Sequence, residues 1–335
     1  MKGRLEHSLA IEAKTKELLS KCDSYFQDYY YSMVSTKEPT TIMRYILIAS
    51  NFVAFTKEKN PAFQISDLKR VDIDVYMNSL IYTEKDGEIK TTSDSYRATV
   101  WSALNCFVKF LAATEVIERN IMETIDRPKV KDEVERVFMD VDEIKEVLRN
   151  IQNRYYVNSI CKNYEGWEAR DAVIISLLVE TGMRVTALTE INEEDFDFEN
   201  KIVKVTDKRR KVHEYPISDK TAEIALDWNK SRKRLLKEAK KKDDGAFFLS
   251  SRRERMSQRG INKLIARCTE STGKKISAHK FRGSYATNLY QATGDIYLVK
   301  ECMGHDSVNT TQIYIKPNDN SRGKALNIME ELLKN

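Results

Sequence analysis

Near residue 128 the pattern of apolar residues along the chain changes. Before this point apolar residues recur at three- and four-residue spacing, as at Ile48, Phe52 and Phe55, which is typical of one face of an α-helix. After it, helical segments mix with a stretch in which apolar and polar residues alternate. The 335 residues also exceed what a single hydrophobic core usually supports. The pattern therefore predicts a helical domain followed by a mixed one.

The linker between these domains is predicted at residues 128–137, where a proline and a charged, weakly apolar stretch occur. Asp140 follows as a residue able to cap a new helix. Four or five helices at residues 21–127 form the first domain. The other segments are an N-terminal extension at residues 1–20, a mixed α/β domain at residues 138–316 and a C-terminal tail helix at residues 317–335. The predicted fold class is mainly α with a small β component.

Local patterns predict the elements of the second domain. A buried helix is expected to end at Gly182, and the alternation at residues 196–218 predicts a β-hairpin with the basic sequence KRRK at its turn. The remaining elements are a basic helix from residue 230, a short apolar strand at residues 246–249, and helices beginning at Gln258 and His279.

The composition excludes several classes of protein. With 41% hydrophobic and 32% charged residues and only 11 Gly and 5 Pro, the chain is neither disordered nor fibrous. Its N-terminus lacks the apolar core of a signal peptide and no membrane span is visible, which predicts a cytoplasmic protein without a membrane partner. The five cysteines are scattered and form no CxxC pair, so neither a disulfide framework nor a zinc site is expected.

Basic residues concentrate in the second half of the chain. Lys and Arg number 56 against 51 Asp and Glu, but three basic clusters fall within about fifty residues, at 208–211, 230–242 and 252–259. Such clusters suit a phosphate backbone. Each one alone also fits an ordinary solvated helix face.

Six residues are candidates for chemistry, and each has an ordinary structural alternative. Arg184 follows a helix end, where an arginine can bond the last carbonyls, and Lys208 lies at a hairpin turn. His279 and Arg282 are three residues apart and share a helix face.

The other two candidates close the catalytic half. His305 follows Gly304, and Tyr314 stands nine residues later in the sequence TTQIY. Taken singly, both are compatible with packing roles.

Together the motifs TGMR, V-x-x-K-x-x-K-x-x-x-x-P (from Val205 to Pro216), HKFR, MGH and TTQIY, in this order, resemble the tyrosine recombinase (phage integrase) family. The specific part of the resemblance covers residues 140–316. It implies a SAM-like helical core-DNA-binding bundle at residues 21–127 and a catalytic domain at residues 138–316, closing on DNA as a C-shaped clamp.

The resemblance also implies a role for each candidate. Arg184 and Arg282 hold the phosphate, which suits their permanent charge and forked donors, and His305 adds a hydrogen bond. Tyr314 is the nucleophile. His279 is assigned acid/base work and Lys208 the protonation of the leaving oxygen.

The implied reaction is site-specific recombination through a 3′-phosphotyrosine intermediate and a Holliday junction. The covalent intermediate conserves bond energy, so no cofactor and no metal are expected. The sequence contains no Walker glycine loop, HExxH motif or cysteine cluster.

Three positions depart from the family pattern. Ala187 stands where an acidic residue is common, and Glu190 lies one turn later. His213 occupies a frequent arginine position, and Gly283 a frequent histidine position. None removes a primary catalytic group, but the support of Arg184 is left open.

The implied partner is double-stranded DNA with inverted-repeat sites. Candidate contacts, for which helix caps are an equal explanation in the first domain, are Thr40, Thr41, Arg44, Thr92, Ser93, Ser95, Arg97, Arg209, Lys211, Arg252, Arg253 and Arg255. Strand exchange also requires a homotetramer. The tail has an apolar face that includes Ile328 and Leu332, and this face packs either on a neighbouring subunit or back on its own subunit.

Two rival functions share some of these features. A type IB topoisomerase uses a similar tyrosine without exchanging strands, and a DNA-binding protein that has lost catalysis keeps only the fold. The presence of all six candidate residues in the sequence favours a recombinase over the second rival. The short segment ahead of the bundle favours a simple Xer-like or mobile-element enzyme, acting in the cytoplasm at the nucleoid of a prokaryote or with a phage, over one with an arm-site-binding domain. A directionality factor is not specified by the sequence.

Overall fold

The computed structural model describes residues 2–85, 88–130, 137–153, 166–206, 212–304 and 307–312. The chain divides into two compact units, Met1–Glu135 and Arg136–Asn335. The division lies within the segment predicted as the linker. Helices dominate both units and the strands are few and short, which confirms the mainly α fold class.

The first unit is built on five helices: α1 (Lys2–Leu19), α2 (Tyr25–Val34), α3 (Pro39–Lys59), α4 (Arg70–Ser79) and α5 (Asp94–Ala113). Pro39 begins α3, where its fixed φ suits the first helical turn. The core is aromatic, with Phe26, Tyr29, Phe52 and Phe107 fully buried. The segment predicted as an extension contains α1, which contacts α3 and belongs to this unit.

A β-hairpin in the first unit was not predicted. Strand β1 (Tyr82–Lys85) pairs antiparallel with β2 (Glu88–Thr91). Every residue of β2 is exposed, so the hairpin buries no apolar face and leaves no alternating pattern in the sequence. The dipeptide between the strands, Asp86-Gly87, is a favoured hairpin turn sequence.

The second unit combines helices with one small sheet. Its helices are α6 (Val141–Gln152), α7 (Trp167–Thr181), α8 (Val185–Glu190), α9 (Asp219–Glu238), α10 (Gln258–Cys268), α11 (Ala278–Thr293), α12 (Ile296–Met303) and α13 (Val308–Gln312). Strands β3 (Phe196–Asp197), β4 (Ile202–Thr206) and β5 (Val212–Pro216) form an antiparallel sheet in that order. The predicted hairpin strands are therefore confirmed, while its turn at 207–211 lies outside the described residues.

Helix α7 is the centre of the second unit. Most of its length is buried, and it contacts α6, α9 and α11. It ends at Gly182, as predicted, and Gly182 adopts a left-handed conformation with φ +56°. The segment that follows, which carries Arg184, therefore leaves from the most enclosed helix of the unit.

Asp140 caps α6 as predicted. Its Oδ1 accepts a 2.9 Å hydrogen bond from the Glu143 amide, and Glu143 Oε2 accepts one of 2.9 Å from the Asp140 amide. This reciprocal capping box satisfies two amide donors that a helix start otherwise leaves without partners.

The prediction of a strand at residues 246–249 is wrong. The segment makes only isolated bridges, from Asn192 to Ala246 and from Leu249 to Arg255. Its four side chains are all buried, so its apolar character reflects burial in the core. An apolar run of this length does not distinguish a strand from another buried segment.

The basic helix predicted from residue 230 is also different in the structure. Helix α9 begins at Asp219, and Ser218 caps it by accepting from the Thr221 amide at 3.2 Å. Arg232, in the middle of the basic cluster, is 0% exposed. Its Nε donates to the Ala246 carbonyl at 2.7 Å and its Nη1 to Glu193 at 2.9 Å. This arginine supports the fold and is not on the solvated face.

Among the described residues, no helix is both long and apolar enough to cross a membrane.

Candidate active site

Arg282 lies at the meeting point of two motif segments. It is 4% exposed and stands in the second turn of α11. Its Nη1 donates to the Gly182 carbonyl at 2.5 Å, and its Nη2 donates to the Met303 carbonyl. These carbonyls end α7 and α12, just ahead of Arg184 and His305 in the sequence. One guanidinium thus binds the two segments that lead to other candidate residues.

Arg184 is placed differently from Arg282. It is the extended residue before α8, with φ −71° and ψ 144°, and it is exposed. Within the described ranges, its guanidinium has no hydrogen-bond or ion-pair partner. A forked cation in this state suits an external anion such as a phosphate.

Tyr285 fixes the turn that carries Arg184. Its ring lies so close to Gly182 that a methyl group at Gly182 would be 2.4 Å from Tyr285 Cδ1. Burial raises the pKa of the Tyr285 hydroxyl, neighbouring Cys302 and Tyr215 raise it further, and Arg282 opposes them. Tyr285 is therefore kept protonated, as suits a packing residue. Its only sequence signal is its spacing of three from Arg282 on one helix.

His279 occupies the first turn of α11 and is exposed. Ser277 caps this helix by accepting from the Lys280 amide at 3.4 Å. One turn separates exposed His279 from buried Arg282, so the motif runs from the surface into the interior of the unit. The assignment of acid/base work to His279 stays a prediction.

Strand β5 approaches the end of α12. A methyl group built on Gly304 would lie 4.0 Å from Cε1 of His213, and the His213 and Tyr215 rings are 6.4 Å apart. His213, noted in the sequence as a departure from an arginine, therefore lies beside the residue that precedes His305. The basic hairpin and the glycine-histidine segment converge at this point.

Three of the six candidates, Lys208, His305 and Tyr314, lie outside the described residues, as do Arg209 and Lys211. Ala187 is half-buried and packs against the hydrophobic core. For Glu190, the described part of the chain contains no hydrogen-bond or ion-pair partner. The support of the Arg184 turn therefore comes from Arg282 and Tyr285 at Gly182, with no contribution visible from Glu190.

Several candidate DNA contacts of the first unit have structural partners. Ser93 caps α5 by accepting from the Tyr96 amide at 3.2 Å, and Arg97 pairs with Asp94. The Thr92 hydroxyl donates to the Leu80 carbonyl. Thr40, Thr41, Arg44 and Ser95 lie in the first turns of α3 and α5, at least partly accessible to solvent. Their contact with DNA stays a prediction.

In the basic cluster at residues 252–259, some arginines bond to the protein itself and others face solvent. Arg255 donates to the Thr189 carbonyl at 3.0 Å and to Asn192 Oδ1 at 2.6 Å. Arg253 donates to the Ser251 carbonyl at 2.8 Å, whereas Arg252 is exposed. Of these three, Arg252 is the one whose side chain is directed to solvent.

Known proteins are similar to this chain in both sequence and fold. The sequence profile of the phage integrase family matches residues 138–321. Tyrosine recombinase XerC of Caldanaerobacter subterraneus subsp. tengcongensis is 29% identical over 314 residues, covering 89% of this chain and 84% of the relative. Tyrosine recombinase XerC of Roseiflexus sp. (strain RS-1) is 30% identical over 230 residues, covering 67% and 69%.

Solved structures agree in fold. An integrase of transposon Tn1549 in complex with a circular intermediate DNA has a TM-score of 0.64 at 18% identity, covering 92% of this chain and 98% of that one. XerH recombinase bound to a palindromic difH substrate has a TM-score of 0.62 at 21% identity, covering 88% and 81%. The profile spans more than half of the sequence, and a relative aligns along most of it. The resemblance inferred from the motifs is thus confirmed, and the chain belongs to the phage integrase family, the tyrosine-type site-specific DNA recombinases.

Proposed function

We propose that Tyr314 is the nucleophile of this recombinase. Its hydroxyl oxygen attacks a DNA phosphorus, a bond forms between that oxygen and the phosphorus, and the bond to the 5′ oxygen breaks. The tyrosine proton passes to a base and the leaving oxygen takes up a proton. The products are a 3′-phosphotyrosine link and a free 5′ hydroxyl, which then attacks the phosphotyrosine of another strand.

The observation that carries this proposal is the pair of hydrogen bonds from Arg282 to the Gly182 and Met303 carbonyls. Through them the segments that lead to Arg184 and His305 are held on one buried guanidinium. Segments fixed in this way hold their own donors in place, and preorganised donors stabilise charge that develops in a transition state because no reorganisation is needed when the reaction occurs.

The two arginines divide the work of holding the phosphate. Arg184, exposed and without a described partner, supplies forked donors to the non-bridging oxygens. Arg282 fixes the surrounding segments, and its positive charge adds electrostatic stabilisation of the phosphate from within the unit. His305 adds a hydrogen bond to the same phosphate.

Proton transfer is assigned to two further residues. His279 exchanges the proton of the Tyr314 hydroxyl, because a tyrosine hydroxyl ordinarily has a pKa of about 10 and its unassisted ionisation is unfavourable. Lys208, in the segment between β4 and β5, protonates the leaving 5′ oxygen.

A suicide substrate tests the nucleophile. We expect the wild-type protein to form a covalent adduct with a duplex whose cleaved 5′ fragment diffuses away, and Tyr314→Phe to form none while binding the same DNA. Adduct is measured by denaturing electrophoresis of labelled DNA. Tyr297→Phe is the matched control, since Tyr297 is 68% exposed on α12 and outside the proposed site. Undiminished adduct with Tyr314→Phe would overturn the proposal.

We further propose that the protein acts as a tetramer on inverted-repeat DNA in the cytoplasm, with the helical domain at residues 21–127 of the first unit clasping the duplex. In support of this proposal, a protein of the same fold, lambda integrase, forms a tetramer bound to a Holliday junction, and its TM-score to this chain is 0.60. In this proposal residues 317–335 bind a neighbouring subunit.

Removal of residues 317–335 tests the tail. We expect the truncated protein to bind a single site normally but to yield fewer recombinant products between two labelled duplexes, with complexes smaller than a tetramer by light scattering. The same assay separates recombination from type IB relaxation, because a topoisomerase rejoins each strand to its original partner. Full exchange by truncated protein would contradict the role of the tail.

A further inference from the structure

Glu180 connects the end of α7 to the base of the basic hairpin. Its Oε2 accepts a 3.0 Å hydrogen bond from the Ser218 amide. Its Oε1 accepts from the Ser218 hydroxyl and from the Thr221 hydroxyl, both at 2.7 Å. Ser218 stands two residues after Pro216, the last residue of β5. One carboxylate thus makes three bonds to the segment that directly follows the hairpin.

The position of this carboxylate is unfavourable within its own helix. Glu180 lies in the last turn of α7, where the helix dipole disfavours a negative charge. The same carboxylate lies at the beginning of α9, where the dipole favours it. Helix α7 therefore gains nothing from a glutamate here, whereas the junction between α7 and α9 does.

The junction also holds the hairpin. Pro216 of β5 pairs with Ile202 of β4, and the Ile217 amide donates to the Lys201 carbonyl at 2.9 Å. Both strands are thus joined at the point where Ser218 binds Glu180. In the other direction, Gly182 and Arg184 follow Glu180 by two and four residues. A five-residue segment therefore bonds the hairpin base at one end and carries Arg184 at the other.

We propose that Glu180 is a positioning residue that sets the hairpin carrying Lys208 in register with the Arg184 turn. This inference rests on the proposed function of Lys208 as the proton donor to the leaving oxygen. Ala187 stands three positions after Arg184, where the family pattern commonly has an acidic residue. Glu180, four positions before Arg184, is an acidic side chain bonded at the other end of the five-residue segment.

Replacement of the leaving 5′ oxygen by sulfur tests the proposal. A thiolate, with a conjugate-acid pKa of about 8.5 for cysteine, leaves without the proton that an alkoxide requires. The full-length wild type, Lys208→Ala, Glu180→Ala and Glu223→Ala are compared on suicide duplexes with oxygen or with sulfur at the bridging position. Glu223→Ala is the matched control, because it removes an exposed carboxylate near the start of the same helix, α9.

The expected result is a loss of cleavage rate that depends on the leaving atom. With oxygen, Lys208→Ala slows cleavage by about a hundredfold or more. Glu180→Ala slows it by about tenfold, since displacement of a catalytic group by a fraction of an ångström is costly. With sulfur, both variants come within about threefold of the wild type, and DNA affinity is unchanged throughout.

Different failures point to different parts of the argument. If sulfur rescues Lys208→Ala but Glu180→Ala remains equally slow on both substrates, or is normal on both, the inference about Glu180 is overturned. If sulfur does not rescue Lys208→Ala, the proposed role of Lys208 is overturned as well. If Glu180→Ala fails to fold, Thr221→Val takes its place, because Thr221 is buried and valine has nearly the same shape. This substitution removes one of the three bonds to Glu180, and the ratio of its cleavage rates on the oxygen and sulfur substrates then tests the inference.

Discussion

Gly182 has a left-handed backbone conformation, with φ +56°, and the side chain of Tyr285 lies directly against it. The Tyr285 ring occupies the space in which a β-carbon would stand. The Gly182 carbonyl is in turn a hydrogen-bond acceptor for Arg282. A single glycine is therefore required for conformation, for packing and for the position of an arginine in the site.

Gly182→Ala is predicted to lower both stability and cleavage. The left-handed conformation costs an L-residue about 1–2 kcal/mol, and overpacking against Tyr285 adds about 1–3 kcal/mol. Urea unfolding measures the loss of stability, and the suicide-substrate assay measures the loss of cleavage.

Gly273→Ala is the matched control for this prediction. Gly273 has φ +66° and nothing within 4 Å of an added β-carbon, so the control includes only the conformational cost. Equal losses of unfolding free energy for the two variants would show that Tyr285 yields at no cost, contrary to the packing argument.

Helix α9 shows how one basic sequence can serve two purposes. Arg232 is 0% exposed and bonded to Glu193 and the Ala246 carbonyl, whereas the Lys230 side chain is 77% exposed. The charge pattern of the sequence does not separate them. The helical period decides which cation faces the core and which faces solvent.

Arg232→Ala is predicted to lower the free energy of unfolding by about 3 kcal/mol, because it strips a buried arginine from a bonded network. Lys230→Ala should change stability by less than about 0.5 kcal/mol, as is usual for exposed ion pairs. Chemical denaturation of the two variants measures the difference. A similar small loss for both would mean that the Arg232 network contributes little.

Sequence periodicity predicts those elements that bury one face. The alternation of apolar and polar residues predicts strand β4, in which Val203 and Val205 are buried, and Asp140, a residue type that caps helices, predicts the start of α6. The hairpin of β1 and β2 has no buried face and was missed. The contact of Tyr285 with Gly182 joins residues about a hundred positions apart, so no local pattern contains it.

The motifs predicted the site in the same limited way. They identified a set of six residues because these residue types recur together in one chemistry, and three of the six, Arg184, His279 and Arg282, lie among the described residues. They did not predict that Arg282 is held by two main-chain carbonyls, or that Glu180 binds the hairpin base. Both contacts depend on the tertiary fold.

Over the described parts of the molecule, most apolar burial is divided between two large cores, and a small third cluster of Ala286, Val299 and Met303 lies in the second unit. One core contains Phe26, Phe52 and Phe107, and the other contains Ile174, Trp228 and Phe247. Because each core lies within one compact unit, each unit has its own source of hydrophobic stabilisation.

Two unfolding transitions are therefore predicted by differential scanning calorimetry of the full chain. The apolar substitution Phe107→Leu should lower the midpoint of one transition and Trp228→Phe that of the other, each by several degrees. Because these substitutions leave polar groups of the proposed site in place, both variants should still form the covalent adduct below the transition. A single transition shifted equally by both substitutions would contradict independent stability.

The two carbonyls that hold Arg282 belong to the main chain, and every residue type has one. Exchange of Met303 for another apolar side chain leaves its carbonyl, and so the bond to Arg282, in place. A residue inserted or deleted near the end of α7 or α12 moves that carbonyl whatever the side chains are. Over evolutionary time a position such as Met303 is thus free to change among apolar residue types, which Gly182 is not, whereas the lengths of both segments are strongly restricted.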